Sequence, residues 1–232
     1  MNTLKSESEL IMNRKSFDNH YFYKISQLIY WALLHNLSFT LINLPLFLSI
    51  SLVPFSFKNI FLYTLTSLTF FPSLFLLLHS VNTFDRLQLL PTPKEYLTTL
   101  FQSIKKALPF SFITNLLFFV VYTSINYTIK TEQLKFFPPT YLLLFFFVFG
   151  ISLTYLYFSI RNPFQPTIVL LKTAFYFSIQ KIYLTFINTI LISCFLVLLF
   201  IKPILSFFLL PSIVAIILFK NSTLFMTSGN RP

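Results

Sequence analysis

The chain has 232 residues, 33 of them Phe, and 10% are charged, against about 25% in an ordinary soluble domain. Its formal net charge is +11. Two glycines are too few for a P-loop or a dinucleotide-binding loop, and one cysteine excludes an internal disulfide or a paired-thiolate metal or redox site.

That composition predicts an all-α polytopic membrane protein. Residues 1–24 are too polar for the apolar stretch of a cleavable signal, and they read as a cytoplasmic tail ahead of an uncleaved signal-anchor. Uncharged runs then cover 25–57, 59–84, 107–129, 136–160, 182–201 and 203–219. A helix crossing a hydrocarbon core about 30 Å thick needs roughly 17–25 apolar residues. The runs therefore predict six transmembrane helices, at about 26–49, 60–84, 108–129, 136–160, 182–201 and 203–219, in a single membrane domain over 25–220. Pro45 and Pro54 interrupt the first run, so 50–58 reads as an outer loop. The sixth run is short and contains Pro211, leaving open whether it spans fully. Helices are required because lipid offers backbone groups no partners, and runs such as LLLFFFVFGI (142–151) lack the alternation of a barrel strand.

Two connecting segments have helical patterning of their own. Thr92-Pro93-Lys94-Glu95 forms a capping box with Pro at the first helical position. Leu97, Phe101, Ile104 and Leu108 follow on one face, predicting an amphipathic interfacial helix over 93–107. Pro163 and Pro166 precede a second such helix, 167–181, in which Lys172, Gln180 and Lys181 oppose deep burial. Residues 221–232 read as a C-terminal tail.

Lys and Arg are distributed unevenly. Thirteen fall in the tails and in the loops after spans two and four, and four fall in the alternate loops. The positive-inside rule then places both termini in the cytoplasm. This pattern, with attraction to anionic lipid, accounts for the net charge without invoking nucleic acid, since the basic residues are scattered over four segments.

Candidate chemistry is sparse. The span interiors contain no Asp, Glu, Lys or Arg, which argues against a proton- or sodium-coupled pump. No Ser–His–acid set and no metal-ligand set can be assembled, so no catalytic residue, metal or cofactor is assigned and an enzyme is not expected. Cys194 sits in an apolar stretch and reads as a packing residue. The polar residues at membrane depth are His35, Asn36, His79, Asn82, Asn115 and Asn188. His35 lies about 16 Å of helix rise beyond Lys24 and His79 about 9 Å before Asp85, so the two can face each other in one leaflet. The functional reading is a polar pocket built from these six. The alternative is a set of interhelical hydrogen bonds that fasten the spans together.

Four stretches resemble the YesL-like family of small bacterial integral membrane proteins. They are WALLHNLSFTLINLP (31–45), FFPSLFLLLHSVNTF (70–84), the Phe/Lys segment YLTTLFQSIKKALPF (96–110), and LLPSIVAIILFKNSTLF (209–225). Phe71 stands where the family has Gly before the Pro, and Asp85 alone remains of its acidic turn. The resemblance implies a bacterial cytoplasmic (plasma) membrane location. It also implies an association with carbohydrate uptake by ATP-driven transporters, whose subunits would meet the cytoplasmic helices. It carries over no catalytic residue. The expectation is an accessory or interaction component of a membrane assembly. The alternative is a small transporter or substrate-capturing subunit for a neutral solute.

Overall fold

A computed structural model describes residues 21–87, 93–130 and 137–227, with side chains over 25–85, 98–128 and 139–226. Every regular element among them is helical. The α-helices are α1 (Tyr21–Ile42), α2 (Leu44–Leu52), α3 (Ile60–Thr66), α4 (Phe70–Leu87), α5 (Pro93–Lys130), α6 (Phe137–Arg161), α7 (Thr167–Gln180), α8 (Ile182–Ile201) and α9 (Pro203–Thr227). Short 3-10 turns, Phe57–Asn59 and Ser67–Thr69, flank α3. Six stretches are long and apolar enough to cross a membrane: Ile25–Ile42, Phe57–Asp85, Thr98–Thr128, Pro139–Arg161, Ile182–Ile201 and Pro203–Met226. The protein is an all-α polytopic membrane protein. Each span shows lipid-type side chains on its outside; Leu41, Phe61, Phe112, Leu143, Phe186 and Ile204, one per span, are all exposed.

Proline decides where the helices break and where they continue. Span one is interrupted at Asn43, because Pro45 has no N–H for the carbonyl of Leu41 and its ring crowds that carbonyl. The chain resumes as α2, so the single span expected over 26–49 is two helices, and helical structure reaches Leu52. Span two is broken in the same way, with the Ser67–Thr69 turn just ahead of Pro72.

The other differences run towards longer helices. The expected interfacial helix 93–107 and span 108–129 are one helix, α5, which passes through Pro109. Pro109 removes one backbone hydrogen bond without ending the helix, because neighbouring Ala107 and Phe110 are buried and hold the register. Span six likewise runs through Pro211 and past Lys220 to Thr227, beyond the expected end at 219 and into the expected tail. The capping residue Thr92, the tail 1–20 and residues 228–232 lie outside the described residues.

α7 does not lie flat beyond the end of span four. Its Phe175 ring meets Phe147 at 6.3 Å. Phe147 stands about 21 Å of helix rise from Arg161, so α7 folds back along the side of α6. Leu170, Ala174 and Ser178 form its buried face. Lys181 breaks the chain between α7 and α8. It is buried and donates from Nζ to the carbonyls of Leu224 and Phe225, the latter at 2.6 Å, in the last turns of α9. Cations favour helix C-termini, but desolvation still holds this ammonium below the ordinary lysine pKa.

The core is aromatic. Phe39 of span one lies 6.2 Å from Phe70 of span two, Phe195 of span five and Phe207 of span six. Phe71–Phe149 at 5.5 Å and Phe110–Tyr155 at 4.0 Å bring in spans three and four. With glycine nearly absent, buried hydroxyl residues such as Ser80, Ser111, Thr185, Thr189, Ser206 and Ser212 supply the close approaches between helices.

Candidate functional site

The polar side chains at membrane depth are placed one by one at helix crossings. His35 faces α4. Its Nδ1 lies 2.7 Å from the carbonyl of Trp31, which can only accept, so Nδ1 carries the proton. Nε2 is then the acceptor, and the Ser80 hydroxyl donates to it at 2.5 Å. Ser80 Oγ in turn accepts from Trp31 Nε1 at 3.0 Å. The ring is also stacked on Trp31, with centroids 4.8 Å apart. This is a closed, uncharged clasp between spans one and two, with His35 only 1% exposed.

Asn36, the next residue in the chain, works against the Pro211 kink of span six. Its Oδ1 accepts from the backbone N–H of Ser212 at 2.7 Å and from the Ser212 hydroxyl at 2.6 Å. Its Nδ2 donates to the carbonyl of Leu209 at 3.2 Å. Pro211 cannot offer an N–H to Phe207, four residues back, and Thr40 Oγ1 donates to that carbonyl at 3.0 Å instead. The irregular backbone of span six is thus satisfied by span one, as lipid requires.

The break in span two is treated in the same way. The carbonyl of Leu68, four residues before Pro72, accepts from Ser111 Oγ of α5 at 2.7 Å. Asn43, at the break in span one, donates to Ser73 Oγ at 2.6 Å and accepts from Thr69 Oγ1 at 2.9 Å. Sequence inspection passes over Asn43, Thr40 and Ser111. The available signal was spatial: Thr40 and Ser111 each answer a vacancy left by a proline on another span, and Asn43 ties the break in span one to the hydroxyls beside the break in span two.

The remaining candidates are dispersed. His79 stacks on Phe75 with centroids 6.5 Å apart and lies within electrostatic reach of Lys106, not against His35. Asn82 is buried, and its Oδ1 has no hydrogen-bond partner among the described residues. Asn188 Nδ2 donates to Ser222 Oγ at 3.2 Å, joining spans five and six. Asn115 Oδ1 accepts from Ser67 Oγ at 2.7 Å, joining spans two and three, while its Nδ2 has no partner among the described residues. The six residues expected to share a pocket therefore do not converge. His35 and Asn36 occupy consecutive clasps, and the others serve separate crossings.

Asn115 instead borders a cavity of about 260 Å³ near the end of the bundle that carries Lys202. Its walls are nearly all apolar, with Phe70, Phe71, Phe118, Phe145 and Phe149 among them. Among the described residues no three His, Cys, Asp or Glu side chains are grouped to hold a metal. Cys194 is exposed on the flank of α8 and does not pack inward as expected. The residues that come together are suited to fastening helices and to holding an apolar body. No protein-family model, curated protein or solved structure matches the chain.

Proposed function

We propose that this chain is an accessory component of a larger assembly in the bacterial cytoplasmic membrane, with its basic end inside the cell, and that it does not carry hydrophilic solutes. The family resemblance adds a partner class, the subunits of an ATP-driven carbohydrate importer. A hydrophilic carrier needs polar groups free to meet its cargo at mid-membrane. Here His35, Asn36, Thr40 and Asn43 are engaged in closed interhelical contacts.

The observation that carries the assembly reading is Phe164. It is 99% exposed on the link between α6 and α7. That link is fixed at both sides: Lys106 Nζ donates to the carbonyl of Pro163 at 3.1 Å, and the Gln165 N–H donates to the carbonyl of Asn162 at 3.2 Å. An aromatic ring held out on a tethered loop, with exposed Ile168 at the start of α7 close behind it in the chain, has the character of an interface anchor. Basic Arg161 and Lys172 flank it, which suits the cytoplasmic surface.

The test places a photo-crosslinking amino acid at Phe164 in native membranes. The expected outcome is one discrete adduct containing an importer subunit. Adducts to lipid alone, or an unmodified lone chain, would refute the assembly role. Uptake of labelled sugars into proteoliposomes of the purified chain is expected to be nil.

A further inference from the structure

The Asn115 cavity is the feature of this bundle that the assembly role does not use. It lies among spans two, three, four and five, beside α2. At about 260 Å³ it exceeds the roughly 150 Å³ apolar cavity that accommodates benzene. No ionisable acid or base lines it other than the phenol of Tyr63. The polar groups on its wall are mostly engaged. The Tyr63 hydroxyl lies 3.1 Å from the carbonyl of Ser49 and 2.5 Å from that of Val53. Thr114 Oγ1 donates to Phe110 at 2.7 Å, and Ser67 donates to Asn115 Oδ1. The Asn115 amide nitrogen is left buried, with two N–H donors and no acceptor among the described residues.

An orphan donor inside low-dielectric walls is unfavourable until an acceptor reaches it. Water is a poor answer, since a buried water needs about two to four polar partners and this wall offers one unengaged donor. An apolar molecule carrying one acceptor oxygen meets both demands. The route in is also apolar, because the lining residues Phe55, Val197 and Phe200 are themselves exposed on the flank of the bundle beside span five. A ligand would enter from the hydrocarbon of the bilayer rather than from water.

We propose that this cavity is a binding site for a small neutral lipophile whose single carbonyl oxygen accepts from Asn115 Nδ2. The shared chemistry, a hydrocarbon body with one acceptor, fits both a free membrane-dissolved compound and the ester-bearing part of a bilayer lipid. The site is independent of the Phe164 surface, at the opposite end of the bundle, and either can fail alone.

Benzophenone is a suitable probe: two rings, one carbonyl, no charge, and photochemical insertion into neighbouring C–H bonds. Irradiated with the full chain in lipid nanodiscs, it is expected to label Phe118, Leu196 or Leu199 and to be displaced by unlabelled compound. Asn115→Leu, which keeps the volume and removes the donor, should lower its apparent affinity about three- to tenfold. It should leave the affinity of diphenylmethane, which has no carbonyl, unchanged. Val197→Trp, at the exposed mouth where folding is tolerant, should abolish labelling by both. Nanodiscs of ester-linked and of ether-linked lipid that differ in labelling would identify bilayer lipid as the occupant; equal labelling would identify a free lipophile. Labelling spread along the lipid-facing surface, or equal affinity of the parent and Asn115→Leu chains for benzophenone, would overturn the proposal.

Discussion

The unusual residues of this bundle are the prolines and the short polar side chains that answer them. A proline within a span withdraws one N–H and leaves the carbonyl four residues earlier without its helical partner. In lipid that vacancy must be met from elsewhere in the protein. Ser111 meets it at Leu68, Thr40 meets it at Phe207, and Asn36 secures Ser212 beside the second kink. The dependence can be measured. Ser111→Ala should destabilise the fold by about 0.6–1.7 kcal/mol, the range found for interhelical hydrogen bonds in membranes. In a Pro72→Ala background the same change should cost nearly nothing, since the alanine supplies an N–H to Leu68. A double-mutant cycle of unfolding in mixed micelles reads the coupling, and additive losses would show that Ser111 acts in some other way.

At the scale of the helices, most of the architecture was legible in the chain. Charges bound each apolar run, and the ionised residues Lys181 and Lys202 mark the limits of span five, Ile182–Ile201. Pro211 misled, because proline ends helices in water more readily than it does here, and Lys105 and Lys106, which bound the third uncharged run, fall inside the one continuous helix α5. A neighbouring helix can replace the missing bond at Pro211, and packing sustains α5 around Pro109. Gly150 was equally hard to weigh, as its role depends on what lies across from it. A methyl group there would sit 2.5 Å from Thr185 Cγ2 and 2.9 Å from Thr189 Oγ1. Both threonines are stiff at χ1 and hydrogen-bonded, to the carbonyls of Ser178 and Thr185. Gly150→Ala gains about 1 kcal/mol of helix propensity but overpacks the crossing of spans four and five at about 1–3 kcal/mol. A net loss of roughly 0–2 kcal/mol is expected on these terms. Thr185→Ser, which removes Cγ2 and keeps the hydroxyl, should recover part of it in thermal unfolding of the purified protein. A stabilised Gly150→Ala chain would mean that the two spans can part without penalty.

For the molecule as a whole, the candidate site was less legible than the fold. Membrane depth alone brought His35 and His79 together on paper, because rise along a helix gives height but not azimuth. In the bundle His35 turns to Ser80 and His79 to the side bearing Lys106. The cavity at Asn115 needed the packing of four spans before it existed. Orientation is the opposite case: it rests on charge counts, and helix packing is indifferent to it. The positive-inside asymmetry makes a clear prediction nonetheless. With the sole cysteine removed by Cys194→Ser, Lys202→Cys at the hairpin of spans five and six should react with a membrane-impermeant maleimide in intact cells. Phe164→Cys should react only after permeabilisation. Both positions are exposed and lie at opposite ends of the bundle, so neither result can be blamed on burial. The reversed pattern would put the basic loops and Phe164 outside the cell, where a cytoplasmic partner could not reach them, and the assembly role would fall with the topology.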